Sequence, residues 1–271
     1  RMSEVCRAST PPLGAQWLCE AEDSEPAPTI MYLADWVRSE AEKRRPRFLK
    51  DTALRGITIE QLMHLACLIE KSLVQHAIVD YSPWSPRKGQ ILEWESLTMY
   101  QVCTYFVSPL TCIGQCSYVE SLGEDILPPE WMISHWWGCP FAETISMLQQ
   151  HSSLRNARTY WMCTLANNQH DLEELQEEGV MKTPFARVLL SSTCVGTVML
   201  CDSRVTPMAR SWCVFEMFLT GMLRSPFDGV PVEACSKGGH FLDIAAGIQD
   251  DGGGCQHAAF LMDAMDGNWH E

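Results

Sequence analysis

The sequence predicts an α/β domain with a mainly parallel sheet over residues 128–271, preceded by a helical extension over 28–127 and a flexible arm over 1–27. Three observations carry this. After residue 128, short apolar runs alternate with amphipathic helical runs, the pattern of βαβ units. Successive apolar runs lie a dozen or more residues apart, as a crossover between parallel strands requires. Before residue 128, apolar residues recur at helical spacing instead.

The arm is rich in Pro, Ser, Ala and acid, a composition that buries little. "TIMYLADWVRSEAEKRRPRF" places Ile30, Leu33 and Val37 on one helical face and ends at Pro46. Its basic end (Lys43, Arg44, Arg45, Arg47) reads as a solvated helix terminus favoured by the macrodipole, with contact to anionic lipid or RNA as the sharper alternative. "TIEQLMHLACLIEKSLVQHAI" opens with Thr58 and Gln61 at capping-box spacing and stays helical to about Ile78. "YSPWSPRKG" breaks the chain, and a short helix is expected near Glu93 to Cys103.

The sheet region then unrolls in order. "PPEWMISHWWG" is the first strand, and "PFAETISMLQQH" is a helix with Phe141, Ile145 and Leu148 on one face. "ARTYWMCTLANNQ" is the second strand, "PFARVLLSS" a short helix and "VGTVMLCD" the third strand. Thr206 and Pro207 are expected as N-cap and first position of a helix ending near Gly221. "HFLDIAA" is a fourth strand, and "CQHAAFLMDAM" is expected as a closing helix.

Composition narrows the function. The 271 residues are 46% hydrophobic and 20% charged, ordinary for a chain with a buried core. A net charge of −14 argues against nucleic acid as partner. The thirteen cysteines are odd in number and many sit inside apolar runs, which suggests free thiols in a reducing compartment. Cys112 and Cys116 lack a second pair at zinc spacing, so no metal is expected. The opening stretch "RMSEVCRASTPPLG" has no apolar core of signal-peptide length and no apolar run reaches membrane-spanning length, so a cytoplasmic chain with no membrane segment is expected. GxGxxG, P-loop, GxSxG and HExxH motifs do not occur.

Ligands of open parallel sheets bind beyond the carboxyl ends of strands, near the point where strand order reverses. The first strand brings Ser134, His135, Trp136 and Trp137 to that edge, and the third brings Asp202. The following helix carries Trp212 and Glu216 four residues apart on one face. Glu216 stands among a tryptophan, a cysteine, phenylalanines and methionines. A carboxylate in such company is paired, turned to solvent, or kept for chemistry.

Two motifs carry a resemblance. Ile133-Ser134-His135 closes the first strand, and Trp212-Cys213-x-x-Glu216 opens the later helix. With this order and spacing, residues from about 128 to 265 resemble the Toll/interleukin-1 receptor (TIR) domain. The fuller run "CSYVE…PPEWMISHWWG…YWMCTLANNQHDL" is similar to an SHWWG-bearing protist branch of that family. The resemblance implies a flavodoxin-like fold and cleavage of the nicotinamide N-glycosidic bond of NAD, by hydrolysis or cyclisation, in signalling or defence. NAD is then a substrate, and no cofactor is implied. Glu216 would be the catalytic carboxylate, stabilising positive charge that develops on the ribose. Trp136, Trp137 and Trp212 would sandwich the ring, Asp202 or His135 would orient water or ribose, and Arg204 and Arg210 would meet the phosphates. The alternative is a non-catalytic TIR-like module that self-associates, in which Glu216 is an exposed helix acid and the tryptophans pack the N-terminal helices onto the sheet.

Overall fold

Trp131–His135 and Gly196–Cys201 are buried along their whole length, the mark of strands covered on both faces. They form the centre of a mixed sheet in the computed structural model, which describes residues 28–83, 85–123, 126–171, 179–224, 240–249 and 255–261. The expected arm over 1–27 lies outside the described residues. The strands are β1 (Ile57–Thr58), β2 (Trp131–His135), β3 (Thr159–Trp161), β4 (Gly196–Cys201), β5 (Phe241–Gln249) and β6 (Cys255–Leu261), in the spatial order β1-β3-β2-β4-β5-β6. The inner pairs β3/β2, β2/β4 and β4/β5 are parallel, while β1/β3 and β5/β6 at the edges are antiparallel.

Helices flank the sheet. Besides the single turns Tyr118–Ser121 and Cys163–Ala166, they are α1 (Pro28–Lys43), α2 (Ile59–Gln75), α3, α4 (Phe141–Arg155), α5 (Pro184–Leu189) and α6 (Ser211–Arg224). α3 runs from Met99–Val102 through a π-helical stretch, Cys103–Val107, into Ser108–Thr111. The capping box that opens α2 is formed on both sides. Gln61 N–H donates to Thr58 Oγ1 at 3.1 Å, and Thr58 N–H donates to Gln61 Oε1 at 2.9 Å. α4 ends at Asn156, whose left-handed backbone (φ 51°) closes the last turn.

Side-chain alternation sorts the core onto the two faces of the sheet. Trp131 and Ile133 of β2 join Val198 and Leu200 of β4 in a large cluster with α2, α3 and α4. That cluster unites Ile57, Leu62, Leu65 and Phe106 with residues beyond 128, so the N-terminal helices share the core of the sheet. On the other face, Met132 and Trp161 pack with Val188 of α5 and Leu219 and Leu223 of α6. The same alternation turns Ser134 toward the α6 side.

Three expected elements differ. Within the run expected as the second strand only Thr159–Trp161 form a strand, and Cys163–Ala166 form a helical turn. The segment from Cys255 to Leu261 is a strand, where a closing helix was expected. A seven-residue apolar run has no decisive period, and pairing with β5 over six residue pairs decides it by covering that strand's open edge. Thr206 does not cap the later helix either. Thr206–Ala209 form a separate 3-10 turn, Arg210 is extended, and α6 starts at Ser211 and runs on to Arg224. The cause is Asp202, whose carboxylate accepts both Thr206 N–H and the Thr206 hydroxyl at 2.7 Å and so holds Thr206 in the turn.

Candidate functional site

At the carboxyl end of β2, next to β4, Ser134 is fully buried and its hydroxyl donates to Glu216 Oε2 at 2.6 Å. The strand register and the first turns of α6 create this meeting, since residue 134 faces α6 and Glu216 lies on the helix side turned to the sheet. Part of Glu216 reaches the surface, but burial governs its carboxyl and pushes the pKa up to about 7, with the Ser134 hydrogen bond opposing that rise. Among the described residues no cation ion-pairs Glu216, and Oε1 accepts no hydrogen bond.

Two thiols stand in the field of this carboxylate. Cys163, just past β3, is pushed up to about 11 by burial, eased by a hydrogen bond from Trp137 and raised again by Glu216. Cys213 is pushed up to about 12 by burial and then by Glu216. Both stay protonated and neutral at physiological pH, which makes them polarisable walls rather than nucleophiles.

The other sequence candidates go to different places. Trp137 donates Nε1–H to Cys163 Sγ at 3.2 Å and tilts against Tyr100 with ring centroids 5.5 Å apart, so it belongs to the wall beside Glu216. Trp136 folds its ring back over Gly138, where even a Cβ would collide with it. Trp212 shares a helical face with Glu216, yet it packs edge-on against Phe185 of α5 at 5.1 Å and is 38% exposed. Asp202 is committed to Thr206, and Arg204 is exposed. Arg210 is half-buried, and its charge opposes the burial-driven rise of both the Tyr100 hydroxyl and the Cys213 thiol, which places the guanidinium near the same wall.

His135 is nearly buried, with neither ring nitrogen hydrogen-bonded, and burial pulls its pKa down to about 4. It is neutral at physiological pH, and both of its ring nitrogens are closed off from solvent.

Tyr100 and Cys163 are members of the site that the sequence reading missed. Cys163 had a usable signal, because it follows a parallel strand's carboxyl end just as His135 does. Tyr100 had none, since it arrives on α3 from outside the sheet. No described group of three or more His, Cys, Asp or Glu is placed to hold a metal, and no described helix is long and apolar enough to cross a membrane. The chain matches no protein-family profile, and neither a curated protein nor a solved structure resembles it significantly.

Proposed function

We propose that this protein cleaves the N-glycosidic bond of NAD or a related pyridinium nucleotide, with Glu216 set against the ribose. The observation that carries the reading is a half-buried carboxyl whose pKa is pushed up to about 7, held by one hydroxyl and paired with no cation among the described residues. A carboxyl of this kind is an incomplete ion pair, and a cationic substrate completes it. Nicotinamide leaves as a neutral molecule, so no proton has to be delivered to it. Positive charge builds on the ribose instead, where an ionised Glu216 stabilises it electrostatically. Binding a pyridinium cation favours the ionised carboxylate, so the substrate itself prepares the group that acts on it. Ser134 fixes Oε2 and leaves Oε1 for the ribose hydroxyls. Trp137 and Tyr100 supply aromatic wall, and Arg210 supplies a cation for the diphosphate.

The topology supports the same reading. Taken from β2 onward, the strand order β3-β2-β4-β5-β6 is 2-1-3-4-5, the order of a flavodoxin-like sheet, with β6 running antiparallel instead of parallel. Order reverses between β2 and β4, beside Ser134 and Glu216. The test is incubation of the pure protein with NAD and chromatography for released nicotinamide. Absence of nicotinamide over a range of protein concentrations would overturn the proposal.

A second reading, a self-associating module, draws on one observation. Val214 and Phe218 lie four apart on α6 and are 38% and 58% exposed, an apolar row on the side of the helix away from the core. Sedimentation of the wild type beside Phe218→Ser tests it, and a monomer in both cases ends it.

A further inference from the structure

The basic run that closes α1 is only partly explained by the helix end it occupies. Arg45 Nη1 donates to the carbonyls of Glu42 and Arg44 at 2.7 and 2.9 Å, the usual service of a cation at a helix C-terminus. Lys43 pairs with Glu40 at 2.5 Å. Arg44 does neither. Its Nη1 donates to Ser121 Oγ at 2.8 Å, and its guanidinium lies 4.8 Å over the ring of Tyr118. These contacts hold it as one wall of a cavity of about 250 Å³ between the end of α1, the Pro46 to Phe48 segment and the C-terminal end of α3.

The rest of that cavity is largely apolar, with Pro46, Phe48, Leu110 and Ile113 in its lining. Phe48 and Ile113 are 67% and 55% exposed, so two large apolar side chains stand in solvent at its edge. Burial raises the pKa of the Cys116 thiol in the lining, Glu120 next to the lining residue Ser121 raises it further, and Arg44 and Arg55 oppose that field. Glu120 is ion-paired with Arg55 at 3.1 Å and accepts backbone N–H groups from Leu49 and Ser117. The surrounding stretch, residues 41–50, carries five cations against one acid in a chain of net charge −14.

We propose that this cavity binds a small amphiphile with a single negative charge, a carboxylate on a short apolar tail. The carboxylate sits on Arg44 and the tail lies against Phe48, Leu110 and Ile113. A guanidinium carries five N–H donors in a planar fork, and the hydrogen bond to Ser121 leaves an edge able to take a carboxylate. One facing guanidinium matches one negative charge. The volume is below the roughly 300–1,000 Å³ of sites for drug-sized ligands, which limits the guest to a small one. The site shares no residue with the Ser134–Glu216 centre, so either proposal can fail without the other.

The experiment is titration of the full chain with octanoate, followed by calorimetry and by protein NMR. Octanol serves as the uncharged control and acetate as the tail-less one. Octanoate is expected to saturate, with octanol and acetate each at least tenfold weaker. Arg44→Met and Ile113→Glu should each weaken octanoate at least tenfold. Ile113 is largely exposed, so that variant keeps its fold, and thermal melts check both. Octanol binding as tightly as octanoate, or unchanged affinity in Arg44→Met, would overturn the proposal. So would binding to vesicles of anionic lipid without any binding of free octanoate, which would make this face a membrane contact.

Discussion

Ser134 donates its hydroxyl hydrogen to Glu216 Oε2 across 2.6 Å, joining the end of β2 to a helix 82 residues further along the chain. The bond fixes one carboxylate oxygen and leaves the other unclaimed. Glu216→Gln keeps the shape and still accepts the Ser134 hydrogen, but it removes the charge. Nicotinamide release should therefore fall by on the order of a hundredfold or more, with no loss of melting temperature. Equal rates in wild type and variant would remove Glu216 from the chemistry.

The same carboxyl makes stability depend on pH, and the sign is fixed by burial. Its folded pKa is raised from 4.5 to about 7, so the folded protein holds this proton after the unfolded chain has released it. The stability this contributes is complete below about pH 4.5 and is lost as pH rises through about 7. At about 1.4 kcal/mol per pH unit, that span amounts to roughly 3 kcal/mol at most. His135 has the opposite sign. Its pKa is lowered from 6.5 to about 4, so its share is lost as pH falls across that interval. Glu216→Gln is therefore expected to be more stable than wild type by about 1–3 kcal/mol near pH 8, and the gap should close toward about pH 4.5. Urea unfolding across this range checks it, and a wild type more stable at the alkaline end would contradict it.

Ser134→Ala separates positioning from charge. Its hydroxyl favours the ionised carboxylate, so without it the pKa of Glu216 should climb further above about 7. For wild type, kcat/KM should rise with pH along a limb near neutrality, since that limb reports the free enzyme. In Ser134→Ala the limb should move to higher pH, with activity recovering in alkaline buffer. A limb that moved toward acid would contradict the assignment.

Much of this was legible in the sequence, and the failures have physical causes. β2, β4 and β5 were readable because strands covered on both faces are mostly apolar. Ser134 and Glu216 were readable because short motifs fix them locally, at the end of a strand and in the first turns of a helix. Spacing placed Trp212 and Glu216 on one helical face, but it says nothing of which neighbour each side chain meets, and Trp212 meets Phe185. The Thr206 cap failed because the carboxylate four residues earlier takes Thr206's own N–H and hydroxyl and holds it in a separate turn. β6 was misread because only its partner strand decides its conformation. Tyr100 was invisible because its place depends on how α3 packs.

Val205, in the turn between β4 and α6, has φ 55°, in the left-handed region that a β-branched residue rarely adopts. Such a backbone costs about 1–2 kcal/mol for an ordinary L-residue, and asparagine tolerates it far better. Val205 is 47% exposed, so little packing is lost on substitution. Val205→Asn is expected to stabilise the protein by about 1 kcal/mol, while Val205→Ile should bring no gain. Thermal melts of the two variants decide, and a destabilised Val205→Asn would contradict the strain.

Away from the candidate site, Asp243 of β5 is fully buried and holds two side chains of α4 on its carboxylate. It accepts Arg155 Nε and Nη2 of α4 at 2.7 and 2.6 Å, and it faces His151 Nε2 at 3.1 Å. Burial lowers the pKa of His151, with Asp243 opposing that fall. With Nε2–H donated to Asp243, Nδ1 accepts the Tyr160 hydroxyl of β3 at 2.9 Å. The Arg155 guanidinium also stacks over Phe241 and Trp131, with centroids 4.7 and 5.5 Å away. Removing the acid from such a buried pair strands its partners, which typically costs about 3–5 kcal/mol. Asp243→Ala should lower stability by that order in urea unfolding. Asp243→Leu combined with Arg155→Met should recover a good part of it, because the stranded cation is gone as well. Nicotinamide release by the folded fraction should not change in either variant. A loss below about 1 kcal/mol in Asp243→Ala would show that the pair contributes no more than an exposed ion pair does.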